Sequence, residues 1–256
     1  MLQIRSDKII NNITMGMPHA AKTPTPVPRT ARDVELPKQV AAVIAAIETD
    51  IIRGRILPRT RLIEDHLMED YDAKRHVVRA ALAELQRLGV VTKPRHRGAE
   101  LPLFTAEELD NLYAMRTVLH RAAAQATSFP VPRARLAEVA AAMRAHAAAA
   151  RSGDLIRIHR ENMTFHRALF GLCDNPYLAE SIRLHDWLSF PARAYGAADA
   201  GALAEACLEH EAMVDALRAC DREALEHLAI NHMERARQLY VQKFLAGAVR
   251  PAGRIY

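Results

Sequence analysis

With 256 residues, half of them apolar, the chain can hold two ordinary domains, and no apolar run approaches the ~20 residues needed to cross a bilayer, so a membrane protein is not expected. The start lacks the layout of a secretory signal, and three unpatterned cysteines, Cys173, Cys207 and Cys220, suit a reducing cytoplasm rather than a disulfide framework. The formal charge of +5 lies entirely in residues 1–102, while the remainder is balanced, which points to an anionic partner for the N-terminal part and different work for the rest.

Residues 1–33 carry Thr23-Pro-Thr-Pro-Val-Pro28 among small and polar residues and are expected to be a disordered arm, its Arg29 and Arg32 belonging to an inert tail. A helix is expected from Pro37, which suits the first helical position, through Val40, Val43, Ile44, Ile47 and Ile51 to Gly54. A second, short helix is expected from Arg61 to about Tyr71. A third runs over Asp72–Gly89, where Val77 or Val78, Ala81, Leu85 and Leu88 recur at helical spacing while Lys74, Arg75 and Arg79 fall near its start. A basic amphipathic helix is more often a solvated surface than a reading head. Here, however, Val90–Pro94 reads as a strand, Arg95-His-Arg-Gly98 as a tight basic turn and Ala99–Leu103 as a returning strand. Three helices and a basic-tipped hairpin make a winged helix-turn-helix over residues 34–103, in which the third helix enters the major groove of double-stranded DNA and the wing reaches the backbone.

Ile51-Ile-Arg-Gly-Arg-Ile-Leu-Pro58, Leu62-Ile-Glu64, Lys74-Arg-His-Val-Val-Arg-Ala-Ala-Leu82, Leu88-Gly-Val-Val91 and Arg97-Gly98 together resemble the N-terminal domain of GntR-type bacterial transcription regulators. The resemblance implies that Arg75 and Arg79 are the main DNA contacts, supported by Lys74, His76 and the wing residues Arg95, His96, Arg97 and Gly98. It departs from the family at Arg59, where glycine usually follows the proline, and at Ala73-Lys74, where small polar residues are usual. Operator preference therefore does not carry over.

Thr105-Ala-Glu-Glu108 has capping-box spacing and opens a second domain, residues 104–247, with 248–256 as a tail. Helical periodicity covers 106–127, 133–151, 154–173, 175–194, about 200–219 and 221–246. Six helices with short connections predict an antiparallel bundle, so the whole chain is expected to be mainly α. Asn162 and His166 lie four apart on one helix, while His210 and His232 lie on two others. Three imidazoles and an amide oxygen from three helices could converge on a transition metal such as zinc, although with 12 histidines in the chain spacing alone says little.

Met115-Arg116, Asn162-Met-Thr-Phe-His166, Asp174-Asn-Pro176, Glu209-His210 and His232 resemble the ligand-sensing FCD domain found in one branch of the same family. That implies Asn162, His166, His210 and His232 as metal ligands and Arg116 as the residue holding the carboxylate of a small organic-acid effector. Many members carry aspartate in place of Asn162, which favours imidazole-seeking zinc, with nickel or manganese as alternatives. His120 stands where glutamate is frequent, one turn after Arg116. The combined expectation is a homodimeric, cytoplasmic regulator, nucleoid-associated when bound to operator DNA, and not an enzyme. The rival is a metal-dependent helical-bundle enzyme with an accessory nucleic-acid module, for which Glu161, Glu209 and Glu211 adjoin the ligand positions but project about 100° away. Trp187, Phe190 and Tyr195 are expected to pack the bundle or line a pocket, and the cysteines to be small buried hydrophobes.

Overall fold

The computed structural model describes residues 36–94 and 98–246. The expected arm at 1–33, the wing-tip residues Arg95, His96 and Arg97, and the C-terminal tail lie outside them.

Helix α1, Lys38–Ile52, buries Val40, Val43, Ile44, Ile47, Ile51 and Ile52 along one face. Pro37 stands one position before the first helical residue, as its N-cap. Beyond Gly54 the chain doubles back, and the expected second helix is shorter than its hydrophobic pattern suggested. Arg61–Leu62 is strand β1, paired antiparallel with Ala99–Glu100, strand β2. Its burial alternates, with Arg61 exposed and Leu62 buried, which is the two-residue period of a strand. The cause lies just upstream: Arg59 takes a left-handed φ of 68°, which aims its N–H at Leu101 O (2.7 Å), while Leu101 N donates to Thr60 O (3.1 Å). Only then does α2 begin, Glu64–Asp70, followed by α3, Arg75–Arg87. Helix α3 buries Val77, Val78, Ala81, Leu82 and Leu85, as its spacing predicts. The strands expected at 90–94 and 99–103 shrink to β2 and a single bridge, Thr92 to Glu100.

The helical domain opens with the expected capping box. Thr105 Oγ1 accepts from Glu108 N, and Glu108 Oε2 accepts from Thr105 N at 2.8 Å. Helices α4 (Ala106–Ala126), α5 (Arg133–Ser152) and α6 (Leu155–Gly171) follow, each close to its expected bounds. The helix expected over 175–194 divides into α7, Pro176–Leu188, and α8, Phe190–Arg193, continued by a 3-10 turn, Ala194–Ala198. Pro191 has no amide hydrogen for the ladder of α7, so the chain restarts at Ser189 in a new direction. After α9, Ala200–Ala219, the last expected helix also breaks. Its first part is α10, Arg222–Asn231, and its second is α11, Glu234–Tyr240, running into a π turn, Val241–Leu245. The break falls at His232-Met233, where Met233 N reaches only three residues back, to Ile230 O (3.3 Å).

One consequence positions everything else. Phe190 (0 % exposed) and Ala194 belong to the hydrophobic core built around Ile47, Ile51, Val78 and Leu85, with Trp187, Leu155 and Ile156 packed against it. The α7–α8 segment is thus bundle by sequence yet core of the winged helix by packing: of the two roles expected, Phe190 packs the winged-helix core rather than the bundle, while Trp187, packed against that core, also lines a cleft. Fully burying a side chain such as Phe190 contributes about 2–3 kcal/mol, so the junction between the domains is a cohesive one. It is tightened further at Gly89 (φ 76°), where an added Cβ would sit 2.3 Å from Leu188 Cδ2. Of the cysteines, Cys173 is buried as expected and Cys207 partly so, whereas Cys220 departs from expectation, being exposed in a left-handed cap.

Candidate DNA-binding face and metal centre

Lys74, Arg75, His76 and Arg79 are all exposed at the start of α3, while its valines are buried. The two arginines do not hang free. Arg75 Nη2 meets Asp65 Oδ1 at 2.6 Å and Arg79 Nε meets Glu64 Oε2 at 2.8 Å, both acids lying in the first turn of α2. Exposed pairs of this kind contribute at most ~1 kcal/mol, so they orient the guanidinium groups without preventing exchange for phosphate. Arg61 and Lys93 join Arg79 and Gly98 around a depression between α3 and the sheet. Neither was singled out from sequence, because their relevance depends on β1, which the helical reading of 61–71 hid. Gly98 has a φ of 76° and nothing within 4 Å of a notional Cβ, so the turn leading into β2 is open to a close approach.

In the bundle, His166 from α6, His210 from α9 and His232 at the end of α10 converge, with one ligand nitrogen from each lying within 4.8 Å of the others. His232 Nε2 is 3.2 Å from both His166 Nε2 and His210 Nε2. On its far side, His232 Nδ1 donates to Glu209 Oε2 at 2.5 Å. That bond fixes the tautomer: with the hydrogen on Nδ1, Nε2 presents a lone pair to the cluster. A single lone pair is a poor acceptor for two neighbouring rings, whereas three lone pairs pointing at one cation form a zinc-type site. Burial, reinforced by the neighbouring rings, holds the pKa of His166 and of His210 well below the usual histidine range. Both rings are therefore neutral near neutrality, which is the metal-binding form. The donor set fits a divalent transition metal.

A cavity of about 90 Å³ opens against this cluster, with His166, His232 and Asn162 on its wall, enough for several waters or a small organic anion. Asn162 lies one turn before His166 on α6 and is half-buried. Arg116 also lines the cavity but is already engaged: its Nη2 donates to Asp186 Oδ1 at 2.8 Å, both side chains being nearly inaccessible. His120, one turn on, hydrogen-bonds through Nδ1 to Ala229 O and lies against Phe170. Burial and the Arg116 charge hold it at about 4, as an uncharged ring.

Several residues around the site escaped the sequence reading: Asp186 engages Arg116, and Arg193, His146, His159 and Arg235 line the cavity. Glu209, noted from sequence only as a neighbour of His210, orients His232. Helical geometry turns Glu209 away from His210 as expected, yet that same rotation delivers it to His232 on the neighbouring helix. His146 carried a weak signal as the one histidine of the alanine-rich α5. It is buried, its ring 4.8 Å from that of His210, with Cys207 Sγ 3.9 Å from its Nδ1. Arg193, Ala194, Gly196 and Ala197 line the cavity from the segment whose Phe190 and Ala194 enter the winged-helix core.

Comparison with known proteins agrees with both halves. The sequence model of the bacterial regulatory proteins of the gntR family matches residues 39–101, and that of the FCD domain matches residues 111–235. Among solved structures, E. coli McbR/YncC superposes with a TM-score of 0.65 at 22% identity, over 82% of this chain and 100% of that one. A putative GntR transcriptional regulator from Rhodococcus sp. RHA1 gives 0.61 at 23% identity, over 81% and 100% of the two chains. At such identities the likeness is one of fold. No curated protein matches the sequence.

Proposed function

Because the chain belongs to the GntR family of bacterial transcription regulators, with a winged helix-turn-helix followed by an FCD domain, we propose that its operator binding is modulated by a small carboxylate held beside a metal in the helical domain. The observation carrying this reading is the convergence of His166, His210 and His232, the first and last of which line a cavity that Arg193 of α8 also lines. Asn162 and the three histidines would hold the ion, zinc above all, with nickel or manganese as alternatives. Bound there, it supplies a coordination position for a carboxylate oxygen. Arg116 stands on the same wall, its charge offset by Asp186.

Two copies of the chain would bind a palindromic operator as a homodimer, because half-sites a helical turn apart require paired recognition helices. Lys74, Arg75, His76 and Arg79 would read one half-site, with Arg61 and Lys93 on adjacent phosphates. The effector has to bind two arrangements of the protein unequally. Packing supports a route: displacing Arg193 or Ala194 in the cavity wall also moves Phe190 and Ala194 in the winged-helix core. The enzyme reading is less well supported, since Glu209, the carboxylate among the described residues lining the cavity, is taken up in orienting His232.

A thermal-shift screen of small mono- and dicarboxylates, run on chelator-stripped and zinc-loaded protein, tests this reading. Stabilisation by an acid only when zinc is present, abolished in His210→Ala, is expected. Stabilisation independent of zinc, or none by any acid, would refute it.

A further inference from the structure

Three arginines line the cavity, and they differ in how well their charges are met. Arg116 has a buried carboxylate at 2.8 Å. Arg193 has none: among the described residues no carboxylate oxygen lies within 4.0 Å of it, its Nε donates to the main-chain oxygen of Asp186 at 3.1 Å, and its Nη2 is set against Met163 Sδ at 2.8 Å. A thioether is a weak acceptor, and although the Phe190 ring centroid lies 5.8 Å from the Arg193 guanidinium carbon, this half-buried guanidinium has one main-chain oxygen as its strong acceptor and is left under-satisfied. Burial accordingly lowers the pKa of Arg193, with the Asp186 charge opposing. Arg235 is intermediate: its nearest carboxylate oxygens, on Glu205 and Asp199, are 3.7 and 3.8 Å away, and its buried Nε has no hydrogen-bond partner.

A monocarboxylate bound at the histidine cluster would leave Arg193 as it is. An acid with two anionic groups would meet the histidine cluster and Arg193 at once, since His166, His232 and Arg193 line the same cavity. We propose that the effector is a short dicarboxylate, one carboxylate at the histidine cluster and the second gripped by Arg193 with Arg235 in support, so that Arg193 rather than the occupied Arg116 selects for the second charge. This rests on the carboxylate-effector reading above and narrows it. It also places the selective contact in α8, three residues from Phe190 in the winged-helix core.

The test is calorimetric titration of the zinc-loaded full chain with malonate, succinate, glutarate and acetate as probes. At least one diacid should bind the unaltered protein ten-fold or more tighter than acetate. Arg193→Gln should weaken that diacid by about 10- to 100-fold, the worth of a charge-assisted contact, while acetate affinity and zinc stoichiometry stay within two-fold. Arg193→Lys, which keeps the charge and guards against loss of fold, should recover part of the loss. Diacids binding no tighter than acetate, or Arg193→Gln weakening acetate and diacid alike, would overturn the proposal and leave the metal-anchored carboxylate standing. Binding of no acid to zinc-loaded protein would overturn both.

Discussion

Glu48 gives the sharpest quantitative prediction. It lies on α1 with only 5 % of its surface exposed, on a cleft shared with His159, Arg160 and Met163 of the helical domain. Burial raises its pKa from 4.5 to about 7, against the opposing pull of Arg160 and Arg193. A group whose folded pKa lies above its unfolded one contributes stability below the unfolded value and loses it as pH rises through the folded value. At ~1.4 kcal/mol per pH unit, the displacement corresponds to a ceiling of about 3 kcal/mol, lowered in practice by water reaching the cleft. Glu48→Gln keeps the shape but cannot ionise. Urea unfolding followed by circular dichroism should therefore show the variant gaining on the unaltered protein by about 2 kcal/mol between about pH 5 and pH 8. Other titrating groups cancel in the difference. Parallel pH profiles would show that Glu48 is solvated or firmly paired, and would refute the reasoning.

Arg79→Ala should weaken duplex binding by about 10-fold or more and reduce the salt-dependence slope by about one, with the helical domain's circular dichroism unchanged; retained affinity and slope in a fluorescence-anisotropy titration would remove α3 from the DNA face. Arg59→Gly should stabilise the fold by about 1 kcal/mol, because a left-handed φ penalises any side chain; a lower melting temperature would contradict the assigned backbone. Gly89→Ala should destabilise by about 2 kcal/mol through overpacking against Leu188, and adding Leu188→Ala should return part of it. Strict additivity in thermal melts would mean that the two sites do not touch.

Much of the fold was legible because its signals are local. The apolar stripe of α3 and the capping box at Thr105 appear in the structure as spacing dictates. The clearest failures arise where a distant partner takes part in the outcome. Arg61–Leu62 reads as helix until β2 arrives to pair with it, and 175–194 reads as one helix until Pro191 and Phe190 are drawn toward the other domain's core. At the site, the three histidines were visible as residue types at helical positions. What surrounds them was not: Asp186 meets Arg116 across 70 residues, and Glu209 meets His232 on another helix. Spacing says which residues share a face, but not what the next helix presents to it.

The most direct measurement is zinc titration of chelator-stripped protein, with duplex affinity measured on the same samples before and after loading. Unaltered protein should take one zinc per chain, and His210→Ala should bind it at least about 10-fold more weakly with its zinc-free duplex affinity unchanged. Zinc uptake identical in His210→Ala and the unaltered chain would contradict the assignment of the cluster as a metal centre, and the carboxylate switch built on it would fall as well.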